Sequence, residues 1–243
     1  MTQAVSFFSP RRLLPVGLAV ILGCGGDLTL PDSSGTGVEL SLVDGNTQVG
    51  TVGEPLPSPI VVRVETLAQQ PIGGRRVAFV LSEGPSAGEV DPDTAITDSE
   101  GRASTRWVLG NVPGEYHGEA RLVTTDSTEA PAVPFAASAR AGAPDTIRAV
   151  SPLGQPGRRD HELDDPLVVA VVDRYGNPVS GATVHWTVTS GGGSLSAEET
   201  ATASDGTASV RWTLGSGIGL QKAEAMLEGV TGSPVTFTAA VLF

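Results

Sequence analysis

From about residue 38 onward, apolar and polar positions alternate with a period of two, and the pattern occurs twice. Val184, Trp186 and Val188 alternate with Thr183, His185 and Thr187, and Val77, Phe79 and Leu81 hold the same places earlier in the chain. Ala103, Thr105, Trp107 and Leu109 alternate with Ser104, Arg106 and Val108; Ala208, Val210, Trp212 and Leu214 alternate with Ser209, Arg211 and Thr213. Such segments predict half-buried strands whose apolar set faces a core while the arginines face water. Segments 60–64 and 167–172 read as apolar runs suited to strands buried on both faces. Segments 116–122 and 221–227 predict one further strand each, with Ala120/Leu122 and Ala225/Leu227 inward. Strands over 38–43 and 146–150 open the two sets, and strands over 133–139 and 235–241 close them. No helical period appears after the N-terminal segment.

The two sets are copies of one another. Pro71 to Phe79 aligns with Pro178 to Trp186, and Gly101 to Gly110 aligns with Gly206 to Gly215. The offset slips from about 107 to about 105, then to about 102 at Phe135 and Phe237, as loop-length changes between two modules would produce. Asp173 to Pro178, Ser99-Glu100-Gly101 and Ser204-Asp205-Gly206 carry turn chemistry between strands. About seven short strands in about 100 residues predict an immunoglobulin-like sandwich, so the fold class is all-β with two tandem Ig-like sandwiches. The expected division is a targeting segment over 1–23, a tether over 24–37, modules over 38–140 and 145–243, and a linker over 141–144. A linker that short, containing Pro144, implies a semi-rigid rod.

The second copy resembles the Big-1 type of bacterial Ig-like repeat found in the invasin and intimin adhesins. The resemblance rests on Asp173-x-x-Gly176-Asn177-Pro178-Val179-x-Gly181-x-x-Val184-x-Trp186, then Gly191 to Leu195, then Asp205-Gly206-x-Ala208-x-Val210-x-Trp212-x-Leu214-Gly215. The first copy departs from it, with Leu67-Ala68-Gln69-Gln70 in place of the Asp-x-x-Gly-Asn turn. The resemblance implies an extracytoplasmic stalk or adhesive module, because such repeats space a binding domain away from the cell. It implies no catalytic residue.

Arg11 and Arg12 precede an apolar stretch, Leu13 to Leu22, too short to span a bilayer as a helix. The stretch ends in Ile21-Leu22-Gly23-Cys24, which resembles a lipoprotein lipobox and makes Cys24 the expected lipidation site. Cys24 is the only cysteine, so no disulfide within the chain is available and each module must stand on its hydrophobic core. Phe79, Trp107, Trp186 and Trp212 are the expected centres of those cores. The formal net charge of −12 is a poor match for nucleic acid and for anionic headgroups. Contact with a bacterial membrane, outer or at the cell surface, is expected through the lipid alone.

Candidate chemistry is sparse. His117, His161 and His185 are far apart and lack zinc-site spacing. Gly215-Ser216-Gly217-Ile218-Gly219 lacks the Lys and helix of a phosphate loop and reads as a strand connector. No serine occupies a Gly-x-Ser-x-Gly elbow. Two acidic runs, Glu89/Asp91/Asp93/Asp98/Glu100 and Asp160/Glu162/Asp164/Asp165, are weak calcium candidates, the second flanked by Arg158 and Arg159 as neutralising cations. No enzyme activity and no cofactor are expected. The expected partner is a protein or a glycan of the envelope or beyond it, and a carbohydrate-binding module is the alternative to a stalk or adhesive role. Aromatic content of 5% leaves little for a sugar-stacking platform.

Overall fold

Nine strands of the first copy and their counterparts in the second build the same arrangement from different side chains. The computed structural model describes residues 37–82, 87–124 and 130–241, and these belong to one compact unit. The first copy contains β1 (Val38–Asp44), β2 (Gln48–Thr51), β3 (Ile60–Thr66), β4 (Arg76–Leu81), β5 (Gly88–Asp91), β6 (Thr94–Ile96), β7 (Arg102–Leu109), β8 (Gly114–Leu122) and β9 (Ala132–Arg140). The second contains β10 (Thr146–Ala149), β11 (Gly154–Gly157), β12 (Leu167–Val172), β13 (Thr183–Ser190), β14 (Gly193–Leu195) and β15 (Glu199–Ala201). It continues with β16 (Thr207–Val210), β17 (Trp212–Leu214), β18 (Gly219–Met226) and β19 (Val235–Val241). No α-helix occurs among the described residues.

In the first copy a sheet of order β1-β3-β7-β5 faces a sheet of order β2-β9-β8-β4-β6. The second copy repeats this as β10-β12-β16 and β11-β19-β18-β13-β15, with β14-β17 as a separate pair. Arg211 interrupts the counterpart of β7, so the long strand becomes β16 and β17. The registers repeat as well. Ile60 pairs with Thr105 as Leu167 pairs with Val210, and Gly118 pairs with Phe135 as Ala223 pairs with Phe237. The sequence offsets of the repeat are therefore offsets between equivalent places in space.

Each copy encloses its own core. Leu40, Ile60, Val62, Val64, Val77, Phe79, Trp107, Leu109 and Phe135 cluster in the first; Ile147, Leu167, Val169, Val184, Trp186, Trp212, Leu214 and Phe237 cluster in the second. The strict alternation of β7, exposed at Arg102, Ser104 and Arg106 and buried between them, shows why one face of the pattern is apolar. Trp107 meets Phe135 edge-on, with ring centroids 5.3 Å apart, and its indole N–H donates to the Ala87 carbonyl at 3.0 Å. Trp212 is equally buried, but its indole nitrogen has no hydrogen-bond partner among the described residues.

One expectation needs correction. β3 is buried on one face only, because Val61 and Arg63 on the other are half exposed. Arg63 occupies that face and pairs with Glu65 at 3.4 Å, which requires solvent. β12 comes nearer to burial on both faces, since Ala170 is buried opposite Val169 and Val171.

Two buried threonines hold the sheets to their connecting loops in the same way. Thr97 Oγ1 donates to the Ile72 carbonyl at 2.8 Å and accepts from Arg75 N–H at 2.9 Å. Thr202 Oγ1 donates to the Val179 carbonyl at 2.6 Å and accepts from Ala182 N–H at 2.9 Å. Neither residue stands out in the alternating pattern.

Candidate functional site

The residues singled out for chemistry do not converge. Cys24 lies outside the described residues. Among the described residues, no group of three or more His, Cys, Asp or Glu side chains is placed to hold a metal ion. Asp98 is committed to its turn, its Oδ1 accepting from Glu100 N–H at 2.8 Å and Arg102 N–H at 2.9 Å. Glu162 pairs with Arg211 at 2.7 Å, so the cation on the second acidic run comes from the break between β16 and β17 and not from its neighbours Arg158 and Arg159. Asp160 takes a left-handed turn conformation (φ 58°), while Asp164 and Asp165 are exposed. His161 Nδ1 lies 2.9 Å from the Arg159 carbonyl, and His185 Nδ1 lies 3.2 Å from Glu199 on an exposed face. The glycine-rich 215–219 segment connects β17 to β18, and the buried Gln221 amide spans it, bonding to Gly215 and Gly217.

All but one of the described aromatics are absorbed by the fold. Trp107, Trp186 and Trp212 are at most 2% exposed, and Phe79, Phe135, Phe237 and Tyr116 are buried with them. Tyr116 donates its hydroxyl to the Val112 carbonyl. Tyr175, 40% exposed, is the one described aromatic that reaches solvent, and the Arg174 guanidinium stacks on its ring at 4.7 Å.

Tyr175 belongs to a polar cluster that lies where the two sandwiches meet. Asp173, 2% exposed, receives Tyr175 N–H and Asn177 N–H on Oδ1, both at 2.9 Å. Its Oδ2 receives Gly142 N–H from the linker at 2.9 Å and Asn177 Nδ2 at 3.0 Å. Asn177 Nδ2 also donates to the carbonyl of Asn111, in the first sandwich, at 2.8 Å. Burial opposes ionisation of Asp173, but the amide of Asn177 and the backbone N–H groups of Gly142, Asn177 and Tyr175 outweigh it, holding the carboxyl below its usual value. A side chain built on Gly53 (φ 69°) would overlap the Tyr175 hydroxyl, so the second sandwich approaches the first directly over a bare α-carbon. Thr51, Glu54, Pro144, Asp145 and Arg174 line a cavity of about 200 Å³ beside this contact. Sequence reading took the Asp173 turn as strand-connecting chemistry and missed that it joins the modules. Its signal was the departure of the first copy from the same motif.

The second sandwich presents its counterpart of this contact face at its other end. Asp160 corresponds to Gly53: Gly53 N–H donates to the Gly110 carbonyl and Asp160 N–H to that of Gly215. A depression of about 550 Å³ there is lined by Pro156, Gly157, Arg158, His161, Glu162, Leu163 and Asp164.

Comparison with known proteins places this fold. Residues 164–240, most of the second sandwich, match the family described as bacterial Ig-like domain (group 1). The structure resembles that of the Escherichia coli adhesin FdeC, with a TM-score of 0.51 at 17% identity, 84% of this chain and 64% of that one being covered. Less similar matches include the D00–D0 domain of intimin (TM-score 0.44, 16% identity, 84% and 100% covered) and invasin (0.35, 18%, 84% and 39%). The chain thus spans less than two thirds of the FdeC structure. No curated protein matches the chain significantly in sequence.

Proposed function

We propose that this is a non-enzymatic, exported protein, anchored to a bacterial membrane by a lipid on Cys24, whose Ig-like sandwiches form a stalk that presents a protein-binding surface. The observation that carries this reading is the packed joint between two sandwiches of adhesin-like fold, which suits a spacer better than a catalyst. The described polar clusters support it by being spent on turns, ion pairs and the joint. A protein partner is favoured over a glycan, because the described aromatics are packed inside or held at the joint. Recognition then falls to the distal loops of the second sandwich, 158–165 and 215–219, where a rigid scaffold displays charged and glycine-rich segments.

Expression with an alkyne-tagged fatty acid tests the anchor, and labelling of intact cells with an antibody against residues 158–165 tests the display. The wild-type chain should carry the fatty acid and bind the antibody at the surface, and Cys24→Ala should lose both. A mature Cys24→Ala protein still fractionating with membranes would overturn the anchor; a wild-type epitope reachable only after cell lysis would overturn the surface role.

A further inference from the structure

We infer that the Asp173–Asn177 turn is a latch between the two sandwiches, with Gly53 and Asn111 of the first as its socket, and that this pair sets the angle at which the second is held. Its partner surface is therefore the distal face of an Ig-like module that carries glycine at the socket position.

The chain supplies its own control. The first sandwich makes the same turn at Thr66–Gln70 without the Asp-x-x-Gly-Asn residues. Thr66 N–H donates to the Gln70 carbonyl at 2.9 Å and Gln69 N–H to the Thr66 carbonyl at 2.8 Å. In the second, Asp173 N–H donates to the Asn177 carbonyl and Gly176 N–H to the Asp173 carbonyl, both at 2.9 Å. Thr66 Oγ1 accepts Gln70 N–H at 3.2 Å, as Asp173 Oδ1 accepts Asn177 N–H. Gln69 supplies the left-handed residue (φ 59°) that Gly176 supplies later (φ 86°). Closing the turn therefore requires neither the second carboxylate oxygen of Asp173 nor the amide of Asn177. Besides bonding each other, those groups reach outward, to Gly142 of the linker and to Asn111 across the boundary. The Asp-x-x-Gly-Asn residues thus occur in the copy whose turn grips Asn111 of another module.

The socket shows the same selectivity. Gly53 lies under the Tyr175 hydroxyl, while its counterpart at the far end of the second sandwich is Asp160, whose side chain is exposed. The two positions share a left-handed backbone (φ 69° and 58°) and the same hydrogen bond to the following hairpin. A tyrosine of the Tyr175 kind would collide with Asp160, so the second socket does not accept a turn of this type in the same pose. These contacts stand independently of the anchor and of any ligand.

Pulsed dipolar spectroscopy on the full chain tests the latch, with Cys24→Ser making the introduced thiols the only ones and nitroxides placed at Ser104→Cys and Ser209→Cys, both exposed. The parent should give one narrow distance distribution, and Tyr175→Ala and Gly53→Ala should each broaden it at least about twofold, the freedom expected of modules without a fixed interface. Tyr175→Phe, which keeps the ring under Arg174, should stay close to the parent. Tryptophan-monitored unfolding of Tyr175→Ala should match the parent, because Tyr175 lies outside both cores. Should left-handed strain at Gly53→Ala unfold the first sandwich, Tyr175→Ala still decides the matter. A broad parent distribution, or an unchanged one in Tyr175→Ala, would overturn the proposal.

Discussion

At two equivalent buried places the sandwiches differ: the first has a tyrosine hydroxyl and a bonded indole, the second an amide and an indole without a partner among the described residues. Tyr116, packed edge-on against Trp107 at 6.4 Å, ties its hydroxyl to Val112; the second sandwich has Gln221 there, tied to Gly217. Trp107 finds Ala87 as an acceptor, while Trp212 finds none among the described residues. Register, sheet order and the Thr97/Thr202 staples are nevertheless the same. The backbone framework tolerates two chemistries as long as volume and hydrogen-bond directions are kept. The copies also differ at their ends, where one module meets another or meets solvent.

The tryptophans give the largest way to break this parallel. Trp107→Ala and Trp212→Ala should each cost about 3–5 kcal/mol, confined to one sandwich because the cores are separate. The Phe variants sharpen it: Trp107→Phe should cost about 1 kcal/mol more than Trp212→Phe, since only the former gives up a satisfied buried hydrogen bond. Denaturant unfolding followed by tryptophan emission measures both, and equal Phe penalties would mean that Trp212 has a partner in solution.

A smaller effect should come from the threonine staples. Thr97→Val and Thr202→Val keep the shape but strand a carbonyl and an N–H, for about 1–3 kcal/mol each. Local hydrogen exchange at Arg75 and at Ala182 should rise in the respective variants; unaltered protection would show that the loops are held by other contacts.

The smallest effect concerns the turns. Gln69→Gly relieves a left-handed side chain and should stabilise the first sandwich by about 0.5–1 kcal/mol, whereas Gly176→Gln should destabilise the second by a similar amount. Thermal unfolding of the pair would show opposite shifts, and shifts of the same sign would contradict the equivalence of the two turns.

The long strands and the Ig-like class were legible because one face of each strand is apolar: Val77 and Phe79 on β4, and Ala103, Thr105 and Trp107 on β7, announce their burial by spacing. The short strands β2, β11, β5, β6, β14 and β15 were not, because three or four residues such as Gly154-Gln155-Pro156-Gly157 carry no alternation and owe their conformation to the strand beside them. The both-faced burial read for 60–64 failed at Arg63, whose charge keeps one side of β3 in contact with water. The joint escaped for a different reason. Asp, Gly and Asn at 173–177 have a sufficient local explanation as turn formers, so only the motif's departure in the first copy hints that Oδ2 of Asp173 is spent on the linker and the amide of Asn177 across the boundary.

One pairing described above has a mechanical side. β2 runs parallel to β9, and β11 runs parallel to β19. The N-terminal end of β2 and the C-terminal end of β9 thus lie at opposite ends of their ladder. Tension along the polypeptide would drag these neighbours past each other and load every rung between them together, where an antiparallel terminal pair would open one rung at a time. Each sandwich therefore resists a pull along the chain through a strand of only four residues.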